Sequence, residues 1–168
     1  CLVGSEMCIR DRYYNLILDT CIHISTERNR RKDKTMKRVG FLTSGGDCQA
    51  LNATMRGVAK GLYQIYKDEV EIIGFEDGYK GLMYANYQMM KQSDFSGVLT
   101  KGGTMLGTSR QPFKLMRVPD ENGLDKVELM KHTYYKLKLD ALVVLGGNGS
   151  QKTANLLSQE GLNVIGLP

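Results

Sequence analysis

Twice in this chain a short apolar run breaks into a glycine-rich turn and then into a helical period, and this repeated junction restricts the fold more than any other feature. The first run, Arg38 to Thr43 (RVGFLT), ends in Ser44-Gly45-Gly46-Asp47. The second, Ala141 to Leu145 (ALVVL), ends in Gly146-Gly147-Asn148-Gly149-Ser150. Adjacent glycines permit positive φ and let backbone N–H groups approach a phosphate with no Cβ in the way. The helix that follows adds its positive end. A tight strand-to-helix turn uses the same residues, so either junction alone is ambiguous. Two of them on parallel strands fall at one sheet edge, where turn-making is a weaker explanation than a shared anion.

Between the junctions the hydrophobic period changes in step. Leu51, Met55, Val58, Ala59, Leu62 and Tyr66 share one helical face, with Asp47 as the expected cap. Val70 to Phe75 (VEIIGF) then reads as a strand, completing a βαβ unit. Asp77 to Leu82 reads as a turn, and Lys101 to Arg110 (KGGTMLGTSR) as a third glycine-rich loop. After Pro119 the spacing of Val127, Met130, Tyr134 and Leu137 predicts a helix. A further helix over roughly 152–159 and a strand over 163–167 follow the second junction. Strands that alternate with helices, and are apolar throughout, predict an α/β fold: a mostly parallel sheet covered on both faces, with ligands at the carboxyl ends of its strands.

Residues 1–35 are expected to stand outside this domain as a disordered leader, non-native or untranslated. Cys1 to Arg12 (CLVGSEMCIRDR) resembles a translated sequencing adapter. The segment 13–35 carries its charge on the wrong side of its apolar stretch for a targeting peptide, which makes Met36 the expected start. These 35 residues hold seven basic and five acidic side chains, so the formal charge of +5 falls to +3 over residues 36–168. That dispersed excess suits anionic substrates and gives no sign of a nucleic-acid partner. No apolar run approaches the roughly 18 to 20 residues of a membrane span. Three of the four cysteines, Cys1, Cys8 and Cys21, lie in the head and Cys48 stands alone, an arrangement expected of a reduced, cytoplasmic chain and not of a disulfide framework.

Other residues have chemistry to offer. Arg110 closes the third glycine-rich stretch, where a guanidinium fork could bridge phosphate oxygens; alone, it would read as a solvated charge. Tyr79, beside glycines, offers a ring face to a nucleobase or shields a core edge. Neither junction is a P-loop, since G-x-x-x-x-G-K-[ST] is absent, and Lys152 breaks the dinucleotide fingerprint that Gly147-Asn148-Gly149 begins. His23 and His132 join no zinc set or catalytic triad, and His132 reads as a surface residue.

In order and spacing, VGFLTSGGD, LNATMRG, GFEDGYKGL, KGGTMLGTSR, DALVVLGGNGS and IGLP resemble the amino-terminal half of the 6-phosphofructokinases, over essentially all of 37–168. The resemblance implies a Rossmann-like three-layer sandwich, truncated before a second domain, in a homotetramer that transfers phosphate from ATP to the 1-hydroxyl of fructose 6-phosphate. It implies that 36–168 is the nucleotide-phosphate-binding part. Gly45, Gly46, Tyr79, Arg110, Gln111, Gly147, Asn148, Gly149 and Ser150 would bind the donor, with Tyr79 near the adenine. Asn148 would help hold Mg2+, and Arg110 would stabilise the transition state. Asn148 stands where the family commonly has aspartate, placing a neutral oxygen near the metal. Gly149 matches the ATP-dependent pattern, against the aspartate of pyrophosphate-dependent relatives. Cys48-Gln49-Ala50 departs from the usual proline and glycine. Toward the family's nucleotide effector site Arg56 and Lys60 could contribute, and with the remaining basic residues unmatched allosteric control stays unassigned. The catalytic aspartate, in a Thr-Ile-Asp-Asn-Asp run, is expected beyond Pro168, so the 168 residues alone should not turn over. The alternatives are a pyrophosphate-dependent enzyme and a non-catalytic nucleotide-binding paralogue; lipid and NAD kinases share only the second junction.

Overall fold

A computed structural model describes residues 36–45, 49–109, 111–120 and 123–168. The expected leader over 1–35, with Cys1, Cys8, Cys21 and His23, lies outside them, as do Gly46, Asp47, Cys48 and Arg110.

Five strands form one sheet in the order β3-β2-β1-β4-β5. They are β1 (Lys37–Thr43), β2 (Val70–Phe75), β3 (Tyr87–Met90), β4 (Ala141–Leu145) and β5 (Val164–Leu167). β1 pairs in parallel with both β2 and β4, β4 pairs in parallel with β5, and only the edge strand β3 runs antiparallel. The helices are α1 (Gln49–Tyr66), α2 (Tyr79–Tyr84), α3 (Lys126–Lys136) and α4 (Asn148–Gln159).

The period-2 geometry of the strands sorts their apolar residues into two layers. Val39 and Phe41 of β1, Ile72 of β2, and Ala141 and Val143 of β4 face Leu51, Met55, Val58, Ala59 and Leu62 of α1. Leu42, Ile73, Phe75, Leu142 and Val144 face the opposite way, against α2, α3 and α4 through Leu82, Met130, Tyr134 and Leu157. This is the expected three-layer α/β sandwich. Met55, Val58 and Leu62 are fully buried, and each such side chain contributes about 2 kcal/mol of transfer free energy. α3 begins at Asp125, whose carboxylate accepts from the Val127 and Glu128 amides, as an N-cap should.

The structure departs from the sequence reading in two places. Asp77 to Leu82 is only in part a turn: α2 begins at Tyr79 and leads through left-handed Ala85 into β3, an element the apolar pattern does not announce. The helix expected from about residue 152 begins at Asn148, so Asn148, Gly149 and Ser150 are its first turn and not a preceding loop. Glycine suits that turn because its N–H groups have no intrahelical acceptor to lose.

Candidate functional site

The chain builds β1, moves outward to β2 and β3, then returns to place β4 on the other side of β1. The strand order therefore reverses between β1 and β4, and α/β sheets bind ligands at such a reversal. Both glycine junctions lie there.

The β4–α4 junction is fitted closely against the end of β1. The Ser44 amide donates to the Leu145 carbonyl at 2.9 Å and the Gly146 amide to the Leu167 carbonyl at 3.1 Å, extending the ladder past the strands. A Cβ on Gly146 would strike the Ser44 carbonyl oxygen, so only glycine fits. Ser150, buried in the first turn of α4, donates from Oγ to the Ser44 carbonyl at 2.8 Å. Gln151 donates from Nε2 to the Gly146 and Leu167 carbonyls at 2.8 and 3.0 Å, tying α4 to the ends of both β4 and β5.

The third glycine-rich loop reaches the same edge mainly by side-chain attachments, with one backbone bond, from the Asp77 amide to the Leu106 carbonyl at 2.9 Å. Asn52 of α1, 1% exposed, accepts from the Met105 amide at 3.0 Å and donates to the Gly103 carbonyl at 2.7 Å. Thr43 at the end of β1 donates from Oγ1 to the Gly107 carbonyl at 2.7 Å and lies 2.9 Å from the Thr104 hydroxyl. Thr108 Oγ1 accepts from the Gly45 amide at 3.1 Å and donates to the Gly45 carbonyl at 3.0 Å. Ser109 donates to the Asp77 carbonyl.

These loops enclose an open cleft of about 380 Å³, lined by Ser44, Gly45, Ser109, Gln111, Pro112, Phe113 and Gly147 to Ser150. Of the residues singled out from the sequence, Gly45, Gln111, Gly147, Asn148, Gly149 and Ser150 meet there. Gly147, Asn148 and Gly149 are exposed, and a Cβ on Gly147 or Gly149 would meet nothing within 4 Å. Gly46 and Arg110 lie outside the described residues, although Ser109 and Gln111 on either side of Arg110 line the cleft.

Tyr79 is not a cleft residue. It is 1% exposed, belongs to the same buried apolar cluster as Leu42, Leu82 and Leu157, and its hydroxyl donates to the Ser150 carbonyl at 2.7 Å. Its ring has no free face for a base. The core-packing reading is the correct one, with the added task of holding the first turn of α4. Burial pushes its phenol well above the usual range. Arg56 is likewise engaged, its guanidinium donating to the Phe95 carbonyl beside a small cavity that Lys60 also lines. His132 is exposed, as read.

Asn52, Thr43, Thr104, Thr108 and Phe113 were not among the residues read as functional. Asn52 left a signal: it falls on the apolar stripe of α1 with Met55, Ala59 and Leu62, where a polar residue must have buried partners. The threonines carry no such mark in the sequence.

Chemically, the cleft offers exposed helix-start amides, the Asn148 side chain and a short apolar wall. Among the described residues no cluster of three or more His, Cys, Asp or Glu could hold a metal ion, and no helix is long and apolar enough to cross a membrane. Such a site on a reversing parallel sheet has the form in which α/β domains as a class receive anionic ligands at a helix start.

Comparison with known proteins makes this specific. The phosphofructokinase family model matches residues 38–168. The ATP-dependent 6-phosphofructokinase of Spirochaeta thermophila is 52% identical over 144 residues, covering 82% of this chain and 38% of that protein. That of Propionibacterium freudenreichii is 47% identical over 131 residues, covering 78% of this chain and 34% of that protein. The structure of phosphofructokinase from Saccharomyces cerevisiae superposes with a TM-score of 0.66 at 26% identity, over 78% of this chain and 20% of that one. The chain belongs to the phosphofructokinase family, and it spans little more than a third of the length of these two curated relatives.

Proposed function

We propose that residues 36–168 form the amino-terminal, nucleotide-phosphate-binding part of an ATP-dependent 6-phosphofructokinase, which transfers the terminal phosphoryl group of ATP to the 1-hydroxyl of fructose 6-phosphate. The observation that carries this reading is the open first turn of α4 at Gly147 to Gly149, which lines one cleft together with Ser44 and Gly45 at the end of β1. Its amides have no intrahelical acceptors and suit the donor's phosphate oxygens. The names of the curated relatives support ATP as donor. Gly149 supports it physically, because the space beyond its Cα is empty.

In-line transfer asks the protein chiefly for positioning and charge neutralisation. Gly45, Gly147, Asn148, Gly149 and Ser150 hold the phosphates, and Gln111 lines the same cleft. Arg110, whose neighbours both line the cleft, spans the transferring phosphates, and Gly46 extends the first loop. Asn148 fits magnesium as a neutral oxygen ligand at the cleft. Among the described residues the cleft lining holds no carboxylate, which suits an ion that keeps its waters and takes most other ligands from phosphates. Bound there, magnesium would neutralise charge on those phosphates. The general base, the sugar-phosphate ligands and a homotetrameric assembly belong to the whole protein, so residues 36–168 alone bind nucleotide without turnover.

A coupled assay on the full-length protein tests the donor. Turnover is expected with ATP, and turnover with pyrophosphate alone would refute the reading. Gly149→Asp should weaken ATP binding, because it sets a carboxylate beside the phosphates, while leaving the fold intact.

A further inference from the structure

Three walls of the cleft come together at Gly45, and a single hydroxyl clasps them there. Gly45 lines the cleft beside Ser44. A Cβ built on it would stand 3.5 Å from the Ser150 hydroxyl and 3.7 Å from the Gly147 amide nitrogen, so it adjoins the first turn of α4. Its φ of +113° is an angle that residues with side chains rarely adopt. The freedom that admits this angle also lets a glycine leave it, unless its peptide groups are held. Thr108, half-buried in the third glycine-rich loop, supplies that hold: its Oγ1 accepts from the Gly45 amide at 3.1 Å and donates to the Gly45 carbonyl at 3.0 Å. Ser109 and Gln111, just beyond it in the chain, form the loop's share of the cleft lining. The other bonds near this end of the loop run elsewhere, from the Asp77 amide to the Leu106 carbonyl and from the Ser109 hydroxyl to the Asp77 carbonyl.

We propose that Thr108 is a positioning residue for phosphoryl transfer: by clasping Gly45, its hydroxyl sets the spacing between the wall that takes the donor's phosphates and the wall of Ser109 and Gln111, the residues that flank Arg110. The inference rests on the reading above that this cleft serves transfer from ATP. In-line transfer needs groups from both walls to meet one phosphate chain, and a misplacement of about 1 Å can cost about a hundredfold in rate. The first turn of α4 is held without Thr108, by the bonds from Gly146 and Gln151 to the ends of β4 and β5. Donor binding in the ground state therefore survives loss of the clasp. Alignment of the other wall does not, and that loss is felt in the transition state, where it lowers kcat and leaves KM in place.

Steady-state kinetics of the full-length protein, in a coupled assay with ATP and fructose 6-phosphate, test this. Thr108→Val keeps the shape of the side chain and removes the hydroxyl. It should lower kcat about tenfold, with the KM for ATP within about twofold of native and the unfolding midpoint unchanged. Thr108→Ser restores both bonds to Gly45 and should return kcat to the native value. A role in folding alone would lower the midpoint and the amount of active protein, with neither the split between kcat and KM nor the rescue by serine. The assignment is overturned if Thr108→Val keeps the native kcat, if its loss falls on the KM for ATP instead, if kcat falls only as the midpoint falls, or if serine is as impaired as valine. In each of these cases the native protein still turns over with ATP, and the reading of the cleft stands. If the native protein fails to use ATP, both readings fall together. Thr108→Ala should match valine, and it keeps the experiment decisive should valine fail to fold.

Discussion

The β4–α4 junction and the loop over 101–109 reach the same cleft by different means. The junction is a continuation of the sheet: its amides follow the ladder of β4, its helix follows at once, and Gly146 is fixed by the Ser44 carbonyl pressed against it. The 101–109 loop belongs to no strand ladder; apart from one backbone bond, from the Asp77 amide to the Leu106 carbonyl, it is hung from side chains of distant elements, Asn52 on α1 and Thr43 on β1, together with its own Thr104 and Thr108. A site wall built as an extension of secondary structure inherits the sheet's rigidity. A wall hung on polar side chains depends on every donor and acceptor being satisfied, since each lost partner strands a buried group at about 1 to 3 kcal/mol.

The contrast predicts an order of effects. Gly146→Ala should be the most damaging, at about 3 kcal/mol or more, because the added Cβ would run into the Ser44 backbone carbonyl, which cannot swing aside as a side chain would; urea unfolding should show a large fall in midpoint. Asn52→Ala should cost about 2 kcal/mol by stranding the Met105 amide and the Gly103 carbonyl. Its amide exchange should rise selectively at Met105, and a uniform rise across the β4–α4 junction would break the distinction drawn between the two walls. Tyr79→Phe should cost about 1 kcal/mol at neutral pH through the lost bond to the Ser150 carbonyl. Its pH dependence carries a definite sign. Burial raises the folded-state phenol above its ordinary value of 10.0, so the folded chain keeps a proton that the unfolded chain releases. This contribution is fully present below pH 10 and is lost as pH rises above it. Tyr79→Phe should therefore show a flatter decline in stability above pH 10 than the native protein. Thr108→Val should cost least, about 0.5 kcal/mol, and its readout is faster proteolysis within 101–109 at an unchanged unfolding midpoint for the sheet.

The same contrast explains what could be read without coordinates. β1, α1, β2, α3, β4 and β5 announce themselves because their apolar residues face a layer on one or both sides, and burial imposes the period. β3 does not: Tyr87, Gln88 and Met89 are exposed and Met90 alone is buried, so an edge strand paired on one side leaves no apolar signature. α2 has six residues and a glycine within it, too short for a helical period to declare itself and held by packing against α3. In the site, the glycines were legible because phosphates and tight turns both demand them. The partners of the 101–109 loop were not, since Thr43 and Thr108 act through contacts some sixty residues away in sequence. Tyr79 was left open between two readings for a related reason. An aromatic residue among glycines is equally at home in a cleft or beneath one, and only its burial in the apolar layer decides between the two.

Gly146 and Gly149 stand three residues apart in one turn, yet the fold treats them oppositely. The first admits no side chain, whereas the second faces empty space, where a Cβ would meet no atom within 4 Å. Selection on folding therefore polices one codon and is blind to the other. A lineage built on this scaffold is free to explore new partners at position 149 by single substitutions, without first acquiring a compensating change elsewhere.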